Sequence, residues 1–250
     1  MAPKTEDEIK AMRYGGKALA AILGDLAREV KPGVSTRALA EYVTAGLKTR
    51  GVQSAILGYE GFPSILCVSV NEEVVHGIPS KNKIIRAGDV VSLDLGVSYK
   101  GLIVDGACSV FVGQRPSADT ARLINGTREA LAAGIQAIRG EGTPVGDVSQ
   151  AIAKVLNRCR LGIVRDLVGH AVGHGIHEDP NIPNYGAAGT GPRLTAGMTV
   201  AIEPMATLGD WHVNILPDGW TVVTRDGTLA AHFEHTVLIT ETGAEILTTL

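Results

Sequence analysis

Acidic residues occur inside several apolar segments of this 250-residue sequence, where charges are rarely placed. The segments around the first two of these acids contain no lysine or arginine that could neutralise them. A bound cation is the simplest source of the missing positive charge. The alternative is that some of the acids pair with arginines such as Arg165 or Arg193. The four candidate ligands are Asp94, Asp105, Glu203 and Glu234.

A second chemical feature is a run of histidines and glycines between Gly169 and Pro180, which contains His170, His174 and His177. Glycines at this density, ended by a proline, predict a loop rather than a helix or a regular strand. Such a loop can pass close to a ligand and present imidazoles to it, although a glycine-rich loop with incidental histidines is the plainer alternative.

Carboxylates together with an imidazole form an oxygen-rich donor set. This set favours manganese, iron or cobalt with water ligands over a thiolate zinc or copper site. Four converging negative charges require two divalent ions, and two such ions can clamp a nucleophilic water. The sequence therefore predicts a hydrolytic metal centre, provided that the fold brings these residues together.

The elements before the first acids are predicted from caps and periodicity. Thr5 to Glu8 is a capping box that opens a long amphipathic helix, which Lys31-Pro32-Gly33 ends. Ser35 is the expected N-cap of a second helix that ends at Gly51. Strands are expected over residues 65–70 and 74–77, with a turn between them.

A hairpin is predicted around the first two acids, with its turn within residues 98–101. If the hairpin is centred on Tyr99-Lys100, Asp94 and Asp105 lie directly opposite one another, and a bulge at Gly101 shifts this pairing by about one residue. Opposed like charges destabilise a strand pair, which again indicates a cation.

The second half of the chain resembles the first. We infer an internal repeat in which two helices lead into a strand that carries a carboxylate, with halves at roughly residues 5–113 and 117–240 of one catalytic domain spanning 1–250. An offset of 112 residues, together with a shared Ala-Gly pair before Asp94 and before Glu203, supports the repeat. The offset matches Ala18–Ala21 with Ala130–Ala133, Glu29 with Glu141, Pro32 with Pro144, Val43 with Val155, and the N-cap candidate Ser35 with Asp147.

Composition narrows the class of protein. A formal net charge of −3 without a basic tract argues against nucleic acid as a partner, and no apolar run approaches the ~20 residues of a membrane span. The N-terminus lacks the apolar segment of a signal peptide. Cys67, Cys108 and Cys159 have neither disulfide nor zinc-site spacing, so we expect a soluble cytoplasmic protein.

With the candidate ligands in this order, the sequence resembles the methionine aminopeptidases of the pita-bread metallopeptidase fold, specifically the bacterial type I enzymes. The resemblance runs from about Glu6 to Leu247. The segments that carry it are Gly58–Ser64, Asn71-Glu72 with His76–Pro79, Ile202–Met205, Trp220–Gly227 and Phe233–Thr236.

This resemblance implies an α/β (α+β) fold of two pseudo-symmetric helix-helix-strand halves that share a curved antiparallel sheet around a metal site. It implies two divalent ions, Co, Mn or Fe(II). Their ligands would be Asp94, Asp105, His170, Glu203 and Glu234.

The resemblance also implies roles in removing the N-terminal methionine from nascent polypeptides whose second residue is small. Glu203 would act as general base, His177 would bind the scissile carbonyl oxygen, and His76 would contact the leaving amide nitrogen. The ribosome is a further candidate partner, and a monomer is expected. The residues implied for the methionine pocket are Tyr59, Phe62, Cys67 and Trp220.

Some positions depart from the family pattern. Ala171-Val172, Gly96 and Glu60 stand where relatives often have Gly-Ile, a hydroxyl residue and histidine. Two alternatives stay open: a proline-specific metallopeptidase of the same fold and a non-catalytic peptide-binding member. The former usually carries an added N-terminal domain, for which the residues before Glu6 leave no room.

Overall fold

The computed structural model describes residues 3–249. Its α-helices are α1 (Glu6–Glu29), α2 (Thr36–Arg50), α3 (Ala118–Gln136) and α4 (Val145–Arg158), with a short 3₁₀ turn at Tyr59–Gly61. The strands are β1 (Gln53–Ser54), β2 (Cys67–Val70), β3 (Glu73–Val75), β4 (Val90–Tyr99), β5 (Leu102–Phe111), β6 (Gly162–Ile163), β7 (Gly169–Ala171), β8 (Glu178–Ile182), β9 (Thr199–Ile202), β10 (Met205–Thr207), β11 (Val213–Ile215), β12 (Val222–Thr224), β13 (Ala230–His232), β14 (Glu234–Ile239) and β15 (Ala244–Ile246).

A nine-stranded sheet is the centre of the molecule. Its main order is β1-β4-β5-β14-β9-β7-β8, with β2 paired to β4 and β15 paired to β14, and its pairings are antiparallel. α1 packs against β4 and β5, and α3 packs against β9, β13 and β14. None of the helices within residues 3–249 combines the length and apolar character needed to cross a lipid bilayer.

The caps predicted for the first two helices are present. The Thr5 side chain accepts a hydrogen bond from the Glu8 N–H, and the Thr5 N–H donates to Glu8 Oε2 at 2.7 Å. Ser35 caps α2 through the Ala38 N–H, and Gly51 ends α2 with a φ of 62°. These caps satisfy backbone groups that the helices themselves leave without partners.

The two halves are related by their hydrogen bonds. Gly33 donates to the Ile85 carbonyl and Ile85 donates back to Val34; the equivalent bonds of the second half join Gly142 to Leu194 and Leu194 to Thr143. Ile85 and Leu194 are 109 positions apart, as are Asp94 and Glu203. α2 and α4 begin at residues 36 and 145, which is the same separation.

The predicted offset of 112 therefore holds only where α1 and α3 begin, at residues 6 and 118. α3 is shorter than α1, with 19 residues against 24. The connection from α3 to α4 is longer than that from α1 to α2, but it makes up only part of this difference. As a result Ser35 corresponds to Pro144 and not to Asp147. Asp147 does not cap α4; it accepts a hydrogen bond from the Gly189 N–H at 2.7 Å.

The hairpin of the first acids also differs from prediction. Its two-residue turn is Lys100-Gly101, with φ of 51° and 80°, so Asp94 pairs with Ala107 and Asp105 pairs with Gly96. The two acids are therefore diagonal neighbours rather than directly opposed. Because the partner of Asp94 lies two residues beyond the predicted one, both acidic side chains remain on the same face of the sheet.

Two glycines of α1 provide a test of this packing. A Cβ added to Gly16 would lie 2.1 Å from the Leu247 carbonyl oxygen, whereas one added to Gly24 meets nothing within 4 Å. Gly24→Ala should stabilise the protein by about 0.5–1 kcal/mol, because alanine is the better helix residue. Gly16→Ala should destabilise it instead, since the C-terminal segment must move. Urea unfolding of both variants measures these changes; equal stabilisation would show that Leu247 does not pack on α1.

Candidate metal centre and active site

Neighbouring strands place the four acids on one face of the sheet. Asp94 on β4 and Glu234 on β14 both pair with Ala107 on β5, so these three residues form a row across the sheet. Asp105 lies two residues before Ala107 on the same face of β5. Glu203 directly follows β9, the neighbour of β14. Side chains far apart in sequence therefore meet at one point.

His170 completes this group from β7. The Nδ1 atom of His170 lies 3.1 Å from the Ala171 carbonyl oxygen, and Nε2 lies 3.3 Å from Glu203 Oε1. Assigning the proton to Nδ1 leaves the Nε2 lone pair directed at the acids. Burial, followed by the nearby His177, lowers the pKa of His170 to about 3, so its imidazole is neutral and able to bind a metal.

The composition of the histidine-glycine run predicted a loop, but the two ends of the run are strands. It begins as β7 and ends as β8, with irregular backbone between them. Gly169 allows β7 to approach β9 closely, because a Cβ on Gly169 would lie 2.5 Å from the Ala201 carbonyl oxygen. Pairing of His170 with Ala201 then fixes the imidazole beside β9.

The acids are strongly destabilised in their ionised forms. Burial, and then repulsion from Asp105, raises the pKa of Asp94 to about 8. The same two causes, in the same order, raise the pKa of Glu203 and Glu234 well above their ordinary values. Arg165 and Arg193 do not relieve this repulsion. Arg165 lies over the rings of Tyr185 and Trp211, and Arg193 donates to the Gly142 carbonyl.

The donor set fits divalent cations. Donor atoms of Asp105, His170 and Glu234 lie within 4.8 Å of one another, as do those of Glu203, His232 and Glu234. Within residues 3–249, Glu234 Oε1 and both ring nitrogens of His232 are buried without a hydrogen-bond partner. The two donor groups overlap at Glu234, and their oxygen and nitrogen atoms are ligands that divalent cations accept.

Two further histidines flank the carboxylates, as the sequence predicted. His76 has a φ of 58°, and the following Gly77 donates to Ser69 Oγ and accepts from the Val68 N–H at 2.8 Å. A Cβ on Gly77 would lie 2.3 Å from the Val68 carbonyl oxygen, so only glycine fits. The His177 ring lies 4.4 Å from that of His170, and its Nδ1 is 3.0 Å from the Tyr59 hydroxyl.

The residues predicted to form the methionine pocket line one cavity of about 140 Å³ together with the acids and histidines. The Phe62 and Trp220 rings meet edge to face at 5.1 Å. Cys67 pairs directly with Asp94 across β2 and β4, so the cavity reaches the carboxylates. Sequence reasoning missed two apolar walls, Ile56 and Ile176, and assigned no role to His232.

Two of the departures from the family pattern lie in this cavity or beside it. The exposed Glu60 lines it, with a φ of 47°. A Cβ on Gly96 would come within 3.0–3.2 Å of Ile56, Ile176 and Ala55, so a larger residue there would narrow the cavity from the side of β4. A second depression, about 180 Å³ in volume, shares His76, His170, His177 and Glu203 with the first. Its other lining residues are Val75, Leu167, Val168, Asn181 and Met205.

A buried carboxylate–imidazole centre between two pseudo-symmetric halves is the site of a pita-bread metallopeptidase. Residues 10–241 match metallopeptidase family M24, and the chain belongs to that family. Its relatives include proteins named methionine aminopeptidase. That of Bacillus subtilis is 43% identical over 98% of both chains, and that of Treponema pallidum is 45% identical over 98% of this chain and 95% of its own.

Solved structures show the same fold. The structure of a methionine aminopeptidase from Thermotoga maritima superposes with a TM-score of 0.97 at 46% identity and covers all of both chains. A prolidase from Pyrococcus furiosus gives a TM-score of 0.79 at 24% identity, and this chain covers 65% of it. The second likeness shows the fold alone.

Repulsion within the centre generates a prediction about stability. Asp94→Asn should stabilise the metal-free protein near neutral pH, because asparagine carries neither the charge that burial and Asp105 oppose nor the proton that Asp94 must otherwise take up on folding. The same variant should lose most of the stabilisation that added Co(II) or Mn(II) gives to the wild type, which amounts to about 2.7 kcal/mol at a hundred times the dissociation constant. Thermal unfolding with and without metal measures both effects. Wild-type protein whose stability is unchanged by these ions would contradict the metal centre.

Proposed function

We propose that this protein is a metal-dependent aminopeptidase that removes the N-terminal methionine from polypeptides whose second residue is small. The observation that carries the proposal is the apolar cavity that ends at the buried carboxylate–imidazole centre. Aromatic walls and a thiol suit a thioether side chain. Relatives that match over nearly the whole chain are named for this activity.

The substrate would place its first side chain against the Phe62 and Trp220 rings, with its scissile bond at the acids. The polypeptide would then leave through the second depression, past His177 and Met205. A small second side chain is expected from the resemblance to the methionine aminopeptidases, since the chain must pass His177 and the metal centre. Charged first residues would be bound poorly, because the walls that hold the side chain are apolar or aromatic.

The ligands proposed for two ions, Co(II), Mn(II) or Fe(II), are Asp94, Asp105, His170, Glu203 and Glu234. When bound, such ions supply an activated water nucleophile. Glu203 would accept the proton of that water, since its carboxylate is buried at the centre and close to His170. The backbone of Glu203 is held in place by a hydrogen bond from Asn184 to its carbonyl oxygen at 3.1 Å.

The two flanking histidines would act on the peptide bond itself. We assign the Tyr59 O–H as the donor to His177 Nδ1, which leaves the His177 Nε2–H free to donate to the carbonyl oxygen as negative charge develops there. Burial, and then the charges of His232 and His177, lowers the pKa of His76 to about 4. His76 would contact the amide nitrogen that leaves.

Residues 1–250 would form one catalytic domain that acts as a cytoplasmic monomer on nascent chains, with the ribosome as a further partner. The alternatives from the sequence are a proline-specific peptidase and a non-catalytic binder. The first has in its favour the fold shared with the prolidase from Pyrococcus furiosus. The second is disfavoured because every proposed ligand is present in one cavity.

Peptide hydrolysis tests the substrate class. We expect efficient release of methionine from Met-Ala-Ser, negligible release from Met-Lys-Ser, and tolerance of norleucine, because an apolar pocket distinguishes such side chains by only ~1–3 kcal/mol. Peptides with proline in second position and no methionine serve as controls. Faster cleavage of these controls than of Met-Ala-Ser would favour the proline-specific alternative, and no hydrolysis of any peptide would favour the binder.

Glu203→Gln tests the base. The amide keeps the shape of the side chain but cannot accept the proton, so turnover should fall far more than folding stability does. Turnover of Met-Ala-Ser and the urea midpoint are measured together. Retention of more than about a tenth of wild-type turnover, a loss of only ~1.4 kcal/mol, would show that another group is the base.

Two neighbouring histidines separate metal binding from catalysis. His177→Ala should lower kcat by about 10²–10³-fold, the usual cost of losing one donor to a developing oxyanion, while metal content stays constant. His170→Ala should lower metal content as well as activity. Elemental analysis of both purified variants decides this, and a loss of metal from His177→Ala would make that residue a ligand.

A further inference from the structure

His232 lies at the carboxylate centre, and the mechanism above does not use it. His232 is 1% exposed, and neither of its ring nitrogens has a hydrogen-bond partner within residues 3–249. Burying polar groups without partners is unfavourable, and such groups are uncommon in native proteins. An imidazole in this position therefore requires a physical explanation.

The backbone of His232 is held firmly. His232 pairs with Met205 across β13 and β10, two residues after Glu203. The Ser109 hydroxyl accepts from the His232 N–H at 2.8 Å and donates to the His232 carbonyl at 2.9 Å, while Ser92 lies 2.7 Å from the same hydroxyl. One buried hydroxyl thus fixes both backbone groups, so the direction of the ring is set by the sheet.

The ring nitrogen lies at distances typical of atoms that share an ion. His232 Nε2 is 3.6 Å from Glu203 Oε2 and 3.9 Å from Glu234 Oε2. Both distances exceed those of hydrogen bonds. Two ligand atoms bound to one metal by bonds of about 2.1 Å lie roughly 3–4 Å apart, depending on the angle between the bonds.

We propose that His232 is a further ligand of the metal centre and binds, through Nε2, the ion held between Glu203 and Glu234. The proposal rests on the metal centre of the proposed function. His170 lies in the overlapping donor group, with Asp105 and Glu234, and its Nε2 is also 3.3 Å from Glu203 Oε1. In the rival arrangement His232 only donates a hydrogen bond to Glu203 and orients that carboxylate.

Calorimetric titration of metal-free protein with Co(II) separates these roles. In wild-type protein we expect two binding events, and in His232→Gln we expect one of them to weaken at least tenfold. The matched control is His235→Gln, because this imidazole is on the opposite face of β14, where its Nδ1 lies 2.9 Å from Thr248 Oγ1. Equal Co(II) affinities of all three proteins would overturn the proposal and favour the rival arrangement.

A second measurement gives its main result from the wild-type protein alone. Proton NMR of the Co(II)-loaded wild-type protein should show two strongly shifted, exchangeable imidazole N–H signals, one for each ligand histidine. One of these should disappear in His232→Gln and the other in His170→Gln. A single such signal in wild-type protein overturns the role of His232 and leaves the metal centre intact, whereas wild-type protein that binds no Co(II) overturns both.

Discussion

Repulsion among four carboxylates, two of them buried and two partly buried, is the constraint on which the rest of this structure depends. Asp105 and Glu234 are 6% and 3% exposed. Glu203 and Glu234 lie close to His170 and His232, and burial lowers the pKa of both histidines. Neutral imidazoles cannot offset negative charge, but they can bind metals. The fold therefore stores a binding site for cations at a cost in stability, which the packing of the helices against the other face of the sheet must offset.

The pseudo-symmetry explains how one sheet can hold so many acids. In each half the connection between the two helices makes the same hydrogen bonds to the segment before the ligand strand, so Asp94 and Glu203 occupy related positions. Asp105 and Glu234 come from the partner strands β5 and β14, which pair with each other at the junction of the halves. The acids converge because the two halves meet there, and the donor group of Asp105, His170 and Glu234 draws on both of them.

The sequence predicted the parts of this fold that local rules determine. Caps at Thr5 and Ser35 and the apolar stripe of α1 were predicted correctly, and the α/β pita-bread fold was confirmed. Registers were less predictable. The hairpin turn depends on which two residues adopt positive φ, and the repeat offset depends on helix length, neither of which composition determines. The ligand roles remain predictions. His232 was given no role, because its place beside Glu203 depends on the pairing of β13 with β10, which spacing along the sequence does not show.

One strand pair links the pocket to the chemistry. Cys67 on β2, a wall of the cavity, is the direct partner of Asp94 on β4, so the distance from pocket to carboxylates is fixed by a single step of antiparallel pairing. Beyond the carboxylates, His170 and Glu203 line both the first cavity and the second depression. A polypeptide that fills the pocket with its first side chain must therefore present its first peptide bond at the centre. This geometry suits an exopeptidase that removes one residue, because the first side chain and the first peptide bond then fill the pocket and the centre together.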